Sequence, residues 1–577
     1  MNLGYIKRYI PIFAWGKQYT RQLAISDATA AVIVTLMLVP QALAYAILSG
    51  LPPQIGLYAS MLPLIAYALF GTSNTLAIGP VAIAALMTAA AIKPFSEIST
   101  ALGIEAAVIM ACISGGVLLL SGVFRLGFLA NFLSHSVISG FISAASIVIA
   151  TSQLPTLLGY TAKGDNMIEM VSGVVNSFNQ VQATTLILSL LTLGLLLTTR
   201  KYGKTFLMSI GINAFFSQTL ARAVPALLVI VGTLAMKADI SWLSNVKTVG
   251  EIPAGLPSIG LPSMNLEIWH ALLMPAILIS IIGYVESISV AQNLATKRRE
   301  RIHPDQELIA LGVSNLAAGI SSGLPVTGGV SRSVVNMDAG AQTPAAGLLT
   351  AFGMLAATYF MAAWLGDLPR FILATTIIVA VLSLFDFSVF KHTWHVSKQD
   401  FFALCITFFL TLFINVEWGI SAGVILSVAL HLYKTSRPHI AVVGQVRGTE
   451  HFRNINRHHV DVCPNVVTLR IDESLFFANV RYLEQRVHAI LADNPNLEHL
   501  VLMFSAVNDI DTSAVEALET LNEHLQQHGI GFHFSEVKGP VMDSLKKSNL
   551  LKLLNGSVFL TQYKAYEALS CFNARSV

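Results

Sequence analysis

Between about residues 27 and 434 the chain is a succession of apolar segments of spanning or near-spanning length, parted by short polar breaks. Hydrocarbon offers no hydrogen-bond partners, so a backbone crossing it must satisfy its own polar groups, as a helix or a closed barrel does. Segments of this length predict helices. They fall near 27–48, 52–70, 80–92, 104–122, 135–152, 183–199 and 220–236, and again near 270–292, 306–321, 330–338, 344–363, 370–386, 401–415 and 419–434. Composition agrees: 12% of the 577 residues are charged and 54% hydrophobic, against about 25% charged in a soluble domain. A net charge of +3 gives no reason to expect nucleic acid as a partner.

The basic clusters test the count. If residues 1–26 form a cytoplasmic lead-in, then Arg125, Arg200-Lys201-Lys204, Lys297-Arg298-Arg299-Arg301, Lys391/Lys398 and Lys434/Arg437 all fall inside. This is the positive-inside phase. It implies an even count, about fourteen, with both termini cytoplasmic in a cell (inner) membrane, and no cleavable leader is expected. The stretch 237–268 reads as the longest outside loop.

Two spans are too short, 80–92 and 330–338, each third in its group of seven. Each follows a helix-breaking turn, Ala77-Ile78-Gly79-Pro80 in one and Gly328-Gly329-Val330-Ser331 in the other. Paired, interrupted segments at matching places point to a midplane site between inverted repeats. Helices that begin at membrane depth aim free N–H groups and a positive dipole end at whatever sits there. Pro80 suits a first helical position, Gly328 and Gly329 permit close backbone approach, and Ser331 can cap. Arg332 adds a full charge, costing about 2.5–3.5 kcal/mol in mid-membrane on insertion scales. It either holds an anion or pairs with a carboxylate.

Glu286 lies within the otherwise uncharged span 270–292. As an anion it would be costly there, which suits it either to carry a proton with the substrate or to pair with Arg332. Gln41 and Tyr45 lie four apart on one helical face at the end of the first span; they offer donors, or simply satisfy a neighbouring helix.

After residue 438 the pattern changes to a small α/β domain on the cytoplasmic side. Strand-like runs at 440–446, 466–471, 500–504 and 530–534 alternate with helical patterns near 480–491, 513–528, 540–550 and 561–570. Asn508-Asp509-Ile510-Asp511-Thr512-Ser513-Ala514 follows a strand as a turn, with Ser513 near an N-cap or as a phosphorylation site. Cys112, Cys405, Cys463 and Cys571 show neither metal-ligand nor disulfide spacing. No phosphate loop, zinc motif or serine-hydrolase motif occurs, so no enzyme, metal or cofactor is expected.

Several motifs resemble the signature of the SulP anion-transporter family, which includes sulfate permeases, cyanobacterial bicarbonate transporters and prestin. They are Gln41-Ala42-Leu43-Ala44-Tyr45-Ala46, Gly50-Leu51-Pro52-Pro53-Gln54-Ile55-Gly56-Leu57-Tyr58, Phe70-Gly71-Thr72-Ser73, Ala77-Ile78-Gly79-Pro80-Val81-Ala82, and Gln306-Glu307-Leu308 with Asn315. Ser331-Arg332-Ser333-Val334-Val335-Asn336 with Gly340-Ala341-Gln342-Thr343 completes the set. The tail from about 439 resembles a STAS domain. The resemblance implies a transporter domain over 27–438, a seven-plus-seven inverted repeat with core and gate domains, and a STAS domain over 439–577. It further implies an elevator-like cycle, a homodimer, and an anion site lined by Gln41, Tyr45, Val81, Ala82, Ser331 and Arg332, with Glu286 as coupling carboxylate. Where the soluble STAS proteins carry Ser-Gly, this chain has Ser513-Ala514. The expected function is proton-coupled sulfate uptake; sodium-coupled bicarbonate and proton-coupled dicarboxylate transport are alternatives. From other classes, a chloride-conducting channel and a STAS-based signalling scaffold are the rivals.

Overall fold

The computed structural model describes residues 10–128, 134–160, 167–211, 213–238, 241–253, 255–382 and 384–570. Residues 1–9 of the lead-in and Cys571 lie outside them. The chain divides into two compact units, Met1–Ser427 and Val428–Val577.

The first unit is helical. Its main elements are α1 (Arg21–Leu48), α2 (Pro53–Tyr58), α3 (Leu62–Phe70), α4 (Ala82–Ser96), α5 (Thr100–Val123), α6 (His135–Ser152), α7 (Ala183–Ser209) and α8 (Ala214–Lys237). The second group is α9 (Leu266–Arg298), α10 (Pro304–Ile320), α11 (Val330–Asp338), α12 (Ala345–Leu365), α13 (Arg370–Leu382), α14 (Phe387–Val396), α15 (Lys398–Phe413) and α16 (Val416–Ser436). Among the described residues, 9 helical segments are long and apolar enough to cross a membrane. The expected segments outside that group, 80–92, 220–236, 306–321, 330–338 and 401–415, are also helical, as α4, α8, α10, α11 and α15.

The helices outrun the apolar windows at their ends. The span expected at 270–292 extends to Leu266–Arg298, with Asn265 accepting from the Glu267 amide at its start. Hydropathy marks where lipid or protein covers a helix, whereas capping decides where it stops. The span expected at 52–70 is broken between Tyr58 and Leu62, where Pro63 opens the second piece. α10 lies close against α5 because glycines on each helix face the other's backbone: a Cβ on Gly312 would sit 2.6 Å from the Leu119 amide nitrogen, and one on Gly115 2.7 Å from that of Leu316.

Two short strands matter more than their length suggests. β1 (Ile78–Gly79) pairs antiparallel with β2 (Thr327–Gly328), Ile78 opposite Gly328 and Gly79 opposite Thr327. One strand leads into α4 and the other into α11.

The second unit has a six-stranded sheet, β3 (Ile440–Gln445), β4 (Phe452–Asn454), β5 (Val466–Ile471), β6 (His499–Met503), β7 (Gly531–Ser535) and β8 (Val558–Phe559), in the order β4-β3-β5-β6-β7-β8. β5 to β8 run parallel, and β3 is antiparallel to both neighbours. β4 and β8, the two edges, are three and two residues long and escape a pattern search for strands. Its longer helices are α17 (Val480–Asp493), α18 (Thr512–Gln527), α19 (Gly539–Lys547) and α20 (Gln562–Leu569), and Phe504, Phe532 and Phe534 fill its core.

Candidate functional site

Because β1 and β2 are antiparallel, α4 and α11 leave one two-residue ladder in opposite directions. Their N-termini therefore meet, and each presents amides without intrahelical partners. α4 is 15 residues long and α11 is 9, long enough for a dipole end to form at each. Both pack against α1 and α9.

The ladder is reinforced from α11. The Gly329 amide donates to Ala77 O (3.1 Å), and the Ala77 amide donates to Ser333 Oγ (2.9 Å), which itself donates to Gly329 O (2.7 Å). Asn336 Nδ2 donates to Thr75 O at 3.1 Å. On the approach to β2, Asn315 receives the Val326 amide and donates to its carbonyl, both at 2.9 Å. An irregular lead-in within a buried core is thus hydrogen-bonded as thoroughly as a strand.

Arg332 projects from the first turn of α11 toward the other half-helix and is 2% exposed. Its Nη1 donates to Pro80 O at 2.6 Å, while Nε and Nη2 are buried without a hydrogen-bond partner. A buried guanidinium with two idle donors is costly unless something accepts from them. The glycines make room for it: a Cβ on Gly329 would lie 2.9 Å from Nη2, and one on Gly79, at φ +154°, 3.4 Å from the guanidinium nitrogens.

The structure brings Tyr45, Glu286 and Arg332 into one another's electrostatic reach. Tyr45 is buried in α1, Gln41 is half-buried one turn earlier, and Val81 and Ala82 are buried where α4 begins. Glu286 is half-buried on α9, and its Oε2 has no hydrogen-bond partner. Among the described residues it forms no ion pair with Arg332, so the reading of the two as a structural salt bridge is not supported.

Two details differ from expectation. Pro80 is not the first residue of its helix: α4 starts at Ala82, with Val81 as N-cap, because the chain is still extended after β1. Ser331 does not cap α11: Gly329 occupies that position, and Ser331 is exposed in the first turn. In the second unit Asp511 caps α18 by accepting the Ala514 amide at 2.8 Å, leaving Ser513 exposed in the first turn. The residues missed at the site are Ser287, Thr327, Ser333, Asn336 and the Pro80 carbonyl. Ser287 is marked only by its place beside Glu286 in α9, and the others by their place in or beside the polar breaks, where small polar side chains read equally well as turn formers.

The family model for the sulfate permease family matches residues 25–407, and that for the STAS domain matches residues 458–565. Sulfate transporter 4.1, chloroplastic, of Arabidopsis thaliana is 34% identical over 97% of this chain and 82% of its own length. High affinity sulfate transporter 2 of Stylosanthes hamata is 30% identical over 97% and 86%. Among solved structures, the murine Solute Carrier 26 family member A9 anion transporter in the inward-facing state superposes with a TM-score of 0.88 at 21% identity, covering 98% of this chain and 95% of that one. The transmembrane domain of the cyanobacterium bicarbonate transporter BicA gives 0.59 at 22% identity, covering 71% and 98%.

Proposed function

Since the chain belongs to the sulfate permease family, we propose that it is a secondary active transporter that takes up sulfate together with a proton. The observation carrying this reading is the buried Arg332 guanidinium, with two unpartnered nitrogens, at the meeting point of two helix N-termini. Each helix end is equivalent to roughly half a positive charge. With the guanidinium they make about two positive charges, matched to a dianion. Glu286 sets the balance. Ionised, it leaves about one net positive charge and disfavours a dianion; protonated, it restores the match. Proton binding at Glu286 and sulfate binding at Arg332 would then favour each other, which is coupling in the thermodynamic sense.

The remaining parts of the reading follow the family. The anion passes by an elevator-like movement of the helices carrying α4 and α11 against the others. The protein works as a homodimer in the inner cell membrane, with both termini and the 439–577 domain cytoplasmic, the side indicated by the basic clusters. Ser513, exposed at the start of α18, is the position where a regulatory phosphate would be placed. The decisive measurement is uptake of a panel of labelled anions (sulfate, bicarbonate, chloride, dicarboxylates) into proteoliposomes under imposed pH and sodium gradients in turn. Sulfate uptake driven by an inward proton gradient supports the proposal. Sodium-driven bicarbonate uptake, or chloride current without proton movement, would replace it.

A further inference from the structure

The strand that delivers Arg332 is tied to the helix that carries Glu286 by a directed line of hydroxyls. Thr327 Oγ1 donates to Gly283 O at 2.6 Å. The Gly328 amide donates to Ser287 Oγ at 2.8 Å. Ser287 Oγ and Thr327 Oγ1 lie 2.6 Å apart. Since the single Thr327 hydroxyl proton is already used, the Ser287 hydroxyl must donate to Thr327. The line therefore runs from the Gly328 N–H to Ser287, to Thr327, to the Gly283 carbonyl, with every proton assigned. Both side chains are buried, Ser287 1% and Thr327 3% exposed, where such chains polarise each member in turn.

Its position gives it a role beyond packing. Ser287 is the neighbour of Glu286 on α9. Gly328 is bonded to Gly329, the N-cap of α11, whose guanidinium starts three residues further on. The two elements approach closely here: a Cβ on Gly328 would lie 3.0 Å from Ser287 Oγ, and one on Gly283 3.2 Å from Thr327 Oγ1. The two groups on which the proposed coupling depends sit on different elements, and this line is the hydrogen-bonded connection between those elements at their level. We propose that Ser287 and Thr327 are positioning residues, holding the Arg332 guanidinium at a set register to the Glu286 carboxyl so that anion and proton are sensed together. This rests on the transport reading above.

The test uses the full chain. Thr327→Val keeps the shape of the side chain and removes its hydroxyl; Thr327→Ser keeps the hydroxyl and removes a methyl. In proteoliposomes the Val variant should raise the sulfate KM by about tenfold, the scale of one lost buried hydrogen bond. Its maximal rate should stay within about twofold, and the pH profile of uptake should flatten. The Ser variant should stay within about threefold of the unaltered protein in KM and keep the profile. Amide hydrogen exchange over 326–333 provides a readout that needs no transport; it should quicken in the Val variant alone. A folded Val variant with unchanged KM, pH profile and exchange overturns the inference, as do Val and Ser variants that are equally impaired. Faster exchange with unchanged transport removes the positioning role. Absence of sulfate uptake by the unaltered protein instead removes the transport reading, and the exchange comparison then judges the hydroxyl line by itself.

Discussion

Arg332 Nη1 and the carbonyl oxygen of Pro80 lie 2.6 Å apart although 252 residues separate them in the chain. That bond spans the gap between the two half-helices from the side of α11. It uses one nitrogen of the guanidinium and leaves the other two for an acceptor between the helix ends. A planar fork held at one tip suits a tetrahedral oxyanion, which can receive the remaining donors together.

Replacing Arg332 by Ala should lower sulfate uptake in proteoliposomes by at least about 100-fold, since both a charge and paired donors are lost. Arg332→Lys should recover little of it, because an ammonium cannot reproduce the fork. Thermal unfolding in detergent should move little, as the side chain makes only one hydrogen bond to the fold. Uptake near normal would take Arg332 out of the site.

Changing Glu286 to Gln keeps size and removes ionisation. Uptake should lose its dependence on the imposed proton gradient, and sulfate should equilibrate instead of accumulating. An unchanged pH dependence of initial rate would eliminate Glu286 as the proton carrier.

Gly329→Ala places a methyl 2.9 Å from Arg332 Nη2 and 3.0 Å from Nε. The guanidinium must shift, and a sulfate KM increase of about tenfold is expected with the protein still folded. Gly116→Ala is the control, because nothing lies within 4 Å of a Cβ there. Equal KM values for the two variants would show that Arg332 does not need this space.

Asp27 is fully buried and accepts from the Gln342 amide (2.7 Å), the Thr343 amide (3.2 Å) and the Thr343 hydroxyl (2.6 Å). It joins α1 to the turn that ends α11. Asp27→Ala leaves the buried amide and hydroxyl of Thr343 without their acceptor, a loss of about 1–3 kcal/mol. A detergent-solubilised variant should melt several degrees lower; an unchanged midpoint would mean that water replaces the carboxylate.

His533 lies in the sheet of the second unit, its Nδ1 accepting the Ser557 amide and its Nε2 facing His499 Nδ1 at 3.1 Å. Burial, then the neighbouring His499, pulls its pKa from 6.5 down to about 4. The folded form thus excludes a proton that the unfolded chain binds. The stabilisation is present above pH 6.5 and is lost as pH falls toward 4, on the order of 2 kcal/mol once solvent screening is allowed for. Protection factors of the β6 and β7 amides, corrected for the intrinsic exchange rate at each pH, should fall over that range and not above it; constant factors from pH 7 to 4 would exclude His533 as the cause.

Much of this protein is legible along the chain, because a low-dielectric medium imposes its demands one segment at a time. Apolar runs marked the helices, and the short runs at 80–92 and 330–338 marked the half-helices. Lone charges at 286 and 332 marked residues that hydrocarbon does not tolerate without reason. What tertiary structure decided is who meets whom. Hydropathy carries no information on partners, so whether Arg332 would pair with Glu286 or turn to the Pro80 carbonyl depended on the antiparallel register of Ile78 against Gly328. The same register decided that Ser333, not Ser331, would serve the opposite strand, and that Val81 and Gly329 would cap the helices. Hydrogen bonds reach about 3 Å and are directional. Only the folded backbone, bringing residues some 250 positions apart to that distance, could select among the several donors and acceptors that the sequence offered.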